Sequence, residues 1–104
     1  MTTALTASSF AATIAGDKPV LVDFWAPWCG PCRMVGPVVD KLGADLAGQV
    51  IVAKVNVDDE PELAGQFDVQ SIPTLILFKD GKPVAKTVGF QGEAALRAFV
   101  TGNA

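Results

Sequence analysis

The chain has no histidine and only two cysteines. That scarcity disfavours a structural zinc site, because zinc usually takes four ligands and few soft donors are on offer. Basic charge is not in excess either. Eight lysines and arginines stand against eleven aspartates and glutamates, for a formal net charge of −3. Such a balance aids solubility and argues against a nucleic-acid partner, which needs a basic face. No run of like charge and no low-complexity tract occurs. The apolar runs are short, so no membrane span is expected. Met1 to Ala12 has no charged start ahead of an apolar stretch and does not read as a secretory signal. These absences lead to the expectation of a cytoplasmic protein with no nucleic-acid and no membrane partner. A monomer is the expected state.

What is present is a sizeable apolar complement. Half of the 104 residues are hydrophobic, enough for one domain over residues 1–104 that buries roughly two thirds of its unfolded surface. Such a core needs no metal or disulfide staple. The two cysteines, Cys29 and Cys32, lie three positions apart. A bridge closing so short a loop removes little chain entropy. Stability is therefore a poor reason for the pair, and reactivity is a better one.

Helical and strand patterns alternate. Ser8 or Ser9 is placed to cap a short helix with Phe10 and Ile14 on one face. Gly16-Asp17-Lys18-Pro19 reads as a loop. Residues 20–26 are apolar apart from Asp23 and predict a central strand. Residues 31–46 predict a helix with Met34, Val35, Val38, Leu42 and Leu46 near helical spacing, Pro31 in its first turn and Pro37 inside it. Residues 50–57 are β-branched and strand-like. Asp58 or Asp59 is a cap for a short helix carrying Leu63 and Phe67. Residues 74–78 and 84–88 predict strands joined across Asp80-Gly81, a hairpin signal. Residues 91–100 predict a last helix with Leu96, Phe99 and Val100 inward and Gly102 as its stop. Long helical connections between the early strands and a tight turn between the last two imply an α/β fold. Its mixed sheet is parallel at the centre, antiparallel at one edge, and covered by helices on both faces.

Trp28-Cys29-Gly30-Pro31-Cys32 follows the central strand and opens the next helix. Unpaired N–H groups at a helix start carry partial positive charge, so a thiolate at Cys29 is stabilised there and its pKa lowered. Cys32 lies one turn on, on the same face, so the two sulfurs can meet and part as disulfide and dithiol. In this reading an exposed Cys29 attacks a substrate disulfide and a more buried Cys32 resolves the mixed disulfide. Metal ligation, an inert buried pair and a redox-dead binding module are the competing readings. A Cys-x-x-Cys within a βαβ pattern weighs against all three. Asp23 interrupts the apolar strand. It is either solvated on the alternate face or, since Leu21 and Trp25 flank it there, buried with a raised pKa. Lys54, amid Val52, Val55 and Val57, is either a snorkelling surface lysine or an electrostatic neighbour of Asp23.

The segment Phe24-Trp25-Ala26-Pro27-Trp28-Cys29-Gly30-Pro31-Cys32 resembles the active-site segment of the thioredoxin family. The resemblance extends through Val22-Asp23-Phe24, Val52-Ala53-Lys54-Val55-Asn56-Val57-Asp58, Ile72-Pro73-Thr74-Leu75, Phe78-Lys79-Asp80-Gly81 and Val88-Gly89, in the family's order. It implies the thioredoxin fold, a central mixed five-stranded sheet flanked by four helices. It implies protein-disulfide reduction with protein disulfides as substrates and a thioredoxin reductase as recycling partner. No bound cofactor is needed, because the redox-active Cys29–Cys32 pair holds the two electrons. The resemblance gives Asp23 a proton-shuttling role toward Cys32 through water and gives Lys54 an electrostatic one. It also implies a cis Ile72–Pro73 bond packed against the cysteines. Trp28, Gly30, Pro31, Ile72, Pro73 and Gly89 then form a flat, apolar substrate surface around Cys29. The chain departs from the family in having few residues ahead of Leu5, which implies a short or ragged first strand, in lacking tyrosine, and in placing the bulky Phe90 after Gly89. The last bears on partner preference. A non-catalytic partner-holding subunit is the alternative of a different class, and a net oxidant or isomerase the alternative within the class. Gly30-Pro31 resembles the family's reducing branch.

Overall fold

The periodicities resolve into alternating strands and helices over residues 2–104, which a computed structural model of the chain describes. In chain order they are β1 (Thr2–Ala4), α1 (Ala7–Ile14), β2 (Val20–Trp25), α2 (Gly30–Asp45), β3 (Ile51–Asn56), α3 (Pro61–Gln66), β4 (Thr74–Lys79), β5 (Lys82–Val88) and α4 (Glu93–Asn103). The five strands form one sheet in the order β1-β3-β2-β4-β5. β1 and β2 both run parallel to β3, whereas β4 runs antiparallel to β2 and β5 antiparallel to β4. The change of direction therefore falls beside the central strand, not at the sheet's edge as the connection lengths suggested. β1 has three described residues.

β2 is buried on both faces, which explains its nearly unbroken apolar run. Val20, Val22 and Phe24 point to one side and pack with Phe10, Ile14, Ile76 and Phe78. Leu21 points to the other and packs with Val35, Val39 and Leu42 of α2 and Leu96 and Val100 of α4. On the first side Phe67 and Phe78 stand edge to face at 5.1 Å, and Phe10 and Phe78 at 5.5 Å, a geometry that aligns ring edge with ring face. Between β4 and β5 the chain turns on Asp80 and Gly81, whose φ values are 55° and 80°. A two-residue hairpin loop of this twist requires positive φ at both positions.

Several expected boundaries move. α1 is capped by Thr6, whose backbone N–H donates to Ser9 Oγ at 3.0 Å, and Ser8 and Ser9 fall inside the first turn. α3 starts after Glu60 with Pro61 in its first turn, not after Asp58 or Asp59, and Phe67 lies just past its end. A proline is preferred where the N–H has no helical partner. Met34 points to water while Val39 takes the inward position. α4 passes through Gly102 to Asn103, whose Nδ2 donates to the Phe99 carbonyl at 2.7 Å and ties down the final turn.

Candidate active site

Cys29 is the N-cap of α2, held in extended backbone where β2 has ended. Its Sγ accepts the Cys32 backbone N–H at 3.1 Å, one of the donors that a helix start leaves unpaired. Cys29 and Cys32 are joined in a disulfide, with Cα atoms 5.2 Å apart. Across from them the Ile72 carbonyl oxygen lies 3.8 Å from Cys29 Sγ. The Ile72–Pro73 bond is cis. Gly89 donates its N–H to the Pro73 carbonyl at 2.8 Å. Its φ of 93° is a conformation glycine adopts without steric cost. Trp28 is 67 % exposed, and its indole N–H donates to Asp58 Oδ2 at 2.9 Å. Gly30 and Pro31 are exposed, Ile72 and Gly89 half-buried and Pro73 buried. Val88 and Phe90 are also large exposed side chains beside Gly89.

One expectation is corrected. Cys29 is not the more exposed of the pair: both cysteines are 4 % exposed. Bonded to each other, they pack with Ala26 and against Trp25, Val57 and Ile72. They differ in what they face. Cys29 meets Ile72, whereas Cys32 lines a cleft with Asp23.

Asp23 is buried on β2 beside Lys54 of β3 and Leu75 of β4, so the solvated reading does not hold. Its Oδ1 has no hydrogen-bond partner. Burial pushes its pKa up to about 7, against the pull of the Lys54 ammonium, with the Asp40 carboxylate adding to the rise. An ionised carboxylate loses hydration on burial, which favours the protonated form. Lys54 is half-buried, its Nζ 5.2 Å from the centre of the Trp25 ring, a cation–π distance.

The cleft between α2 and the β2–β3 pair has a volume of about 320 Å³. Arg33, Gly36 and Asp40 line it and were not singled out in the sequence. Their signal was there: Cys32, Gly36 and Asp40 recur every four residues along one helix face. Arg33 donates from Nε and Nη2 to the Pro27 carbonyl at 3.1 and 2.9 Å, tying α2 to the end of β2. Among the described residues no group of three or more His, Cys, Asp or Glu is placed to hold a metal ion. No described helix is long and apolar enough to cross a membrane.

A cysteine pair at a helix start behind the central strand of a mixed sheet, backed by a buried carboxylate, defines a thiol–disulfide oxidoreductase. The Thioredoxin family model matches residues 1–102. A thioredoxin of Alicyclobacillus acidocaldarius subsp. acidocaldarius is 55 % identical over 97 residues, covering 93 % of this chain and 92 % of that protein. One of Mycobacterium bovis is 56 % identical over 93 residues, covering 88 % and 80 %. The chain belongs to the thioredoxin family. Its activity is protein-disulfide reduction by dithiol–disulfide exchange. A Mycobacterium leprae protein named bifunctional thioredoxin reductase/thioredoxin is 54 % identical over 90 residues, which are 86 % of this chain and 20 % of that protein.

Proposed function

We propose that Cys29 attacks the substrate disulfide and Cys32 resolves the intermediate. The observation that carries this assignment is the asymmetry of the pair. Cys29 Sγ takes the N–H of Cys32 at 3.1 Å, a contact that favours a thiolate at Cys29. In the dithiol form the Cys29 thiolate bonds to one sulfur of the substrate disulfide and expels the other as a thiolate. Cys32 then loses its proton and attacks Cys29 Sγ. The Cys29–Cys32 disulfide forms and the second substrate sulfur leaves. Two electrons pass to the substrate, so the chain itself needs no further redox group.

Asp23 is the base for Cys32, reached through water in the cleft they share. A carboxyl with a pKa near the working pH can accept a proton and return it. Lys54 steadies the ionised form from the neighbouring strand. Trp28, Gly30, Pro31, Ile72, Pro73 and Gly89 form the surface on which an extended substrate strand lies, with the Ile72 backbone open to pair with it. Residues 1–104 act as one monomeric domain in the cytoplasm, where thiols are kept reduced. A thioredoxin reductase restores the dithiol, a partner to which the fused relative points. Insulin tests the reading: the reduced protein should cleave its disulfides catalytically, and Cys29→Ser should not. A partner-holding subunit without chemistry would leave insulin intact.

A further inference from the structure

Glycine is among the poorest helix formers, yet Gly36 sits inside α2. A Cβ built there meets nothing within 4 Å. The missing side chain opens the cleft instead of admitting a close neighbour. At the floor of that cleft Asp23 is 2 % exposed and its Oδ1 has no partner. Trp25, Pro27 and Val39 supply apolar walls. A buried acceptor without a partner is costly and is satisfied by any donor that reaches it.

We propose that this cleft binds a small neutral aromatic molecule carrying one O–H or N–H donor, with the donor bonded to the Asp23 carboxyl group and the ring between Trp25 and Val39. An apolar cavity of about 150 Å³ takes up benzene, and this cleft holds about 320 Å³. The charges around it favour a neutral guest. Lys54 of β3 and Arg33 of α2 stand against Asp23 and Asp40, while Leu75, which faces Asp23 from β4, carries none. An ion of either sign meets a like charge and gives up its hydration, whereas a neutral donor gives up little. The guest also touches Cys32. On the reading of Asp23 as the base for Cys32, it displaces the water between them and slows resolution while leaving the substrate surface open.

The test uses the disulfide form, so the outcome does not depend on which cysteine attacks. Phenol is titrated while backbone amide shifts are followed by NMR, with fluorobenzene as the control that lacks a donor. Phenol should shift Asp23, Gly36 and Val39 and bind about fivefold more tightly than fluorobenzene, as a hydrogen bond to a charged acceptor allows. Its affinity should be higher at about pH 8.5, where Asp23 is ionised, than at about pH 5.5. Gly36→Leu fills the cleft and should abolish the shifts. Should that variant not fold, Asp23→Asn should flatten the pH dependence. No binding, shifts confined to Trp28, Ile72 and Gly89, or equal affinity for the two probes would overturn the proposal.

Discussion

Near its start, α2 faces Asp23 and Lys54 across the cleft. Near its end it contributes Lys41 and Asp45 to a cluster with Glu93 and Arg97 of α4. Arg97 lies 2.7 Å from Asp45 and 3.1 Å from Glu93, and Lys41 lies 2.9 Å from Asp45 and 3.4 Å from Glu93. By hydrogen-bond count the second region is far better made, since Asp23 Oδ1 has no partner at all. The contacts with Arg97 hold Asp45 and Glu93 below their ordinary range, and Asp45 holds Lys41 and Arg97 above theirs. Only the first region brings a group into the range where thiols exchange. Water already stabilises the exposed charges, so adding partners changes little. Dry surroundings destabilise one charge, and that shifts a proton equilibrium by several units. The stable arrangement binds the helices together, and the unsatisfied one has chemical leverage.

Removing the buried charge should have the largest effect. Asp23 ionises near 3.8 in the unfolded chain and near 7 in the fold. Between those values the folded state holds the extra proton, so stability is greatest in acid and falls as pH rises toward 7. Asp23→Asn removes this dependence. Its advantage over wild type should be absent near pH 4 and reach on the order of 4 kcal/mol near pH 8, read from urea unfolding at the two pH values. The same variant should slow disulfide exchange. A more stable protein that exchanges at the wild-type rate would separate the buried carboxylate from the chemistry.

Lys54→Met sharpens the comparison from the other partner. Without the ammonium, the Asp23 carboxyl should hold its proton to a still higher pH, and the fall in stability that begins near 3.8 should continue to that higher pH. The carboxyl ¹³C shift of Asp23 across pH reads this directly, and an unmoved midpoint would mean that Lys54 does not act on Asp23. The smallest effect is expected from Arg97→Ala. It should lower Tm only slightly at low salt and not measurably in 1 M salt, since screening already weakens exposed pairs. A large, salt-insensitive loss would show that the exposed cluster is not governed by water.

The core and the cysteine motif were legible because periodicity and local chemistry carry them. β2 read as a buried strand from its apolar run. Asp80-Gly81 read as a hairpin because few other residues tolerate positive φ at two successive positions. Helix ends were less legible. Thr6, Ser8 and Ser9 are all good caps, and only packing chooses among them. The antiparallel step beside β2 was hidden, because connection length does not say on which side of the sheet β4 docks. The cleft was hidden for a different reason. Gly36 marks it by an absence, and Asp40 and Arg33 look like ordinary solvated charges until α2 is laid against β3. Equal burial of the two cysteines was also beyond the motif, which orders them along the helix but says nothing of how Ile72 closes over Cys29.

The most direct test of the account is to incubate reduced Cys29→Ser and Cys32→Ser separately with a protein disulfide and weigh the products by mass spectrometry. Cys32→Ser should accumulate a covalent adduct through Cys29, because the attack proceeds and nothing resolves it. Cys29→Ser should accumulate none. An adduct on Cys29→Ser, with none on Cys32→Ser, would contradict the assignment and with it the role given to the cleft behind Cys32.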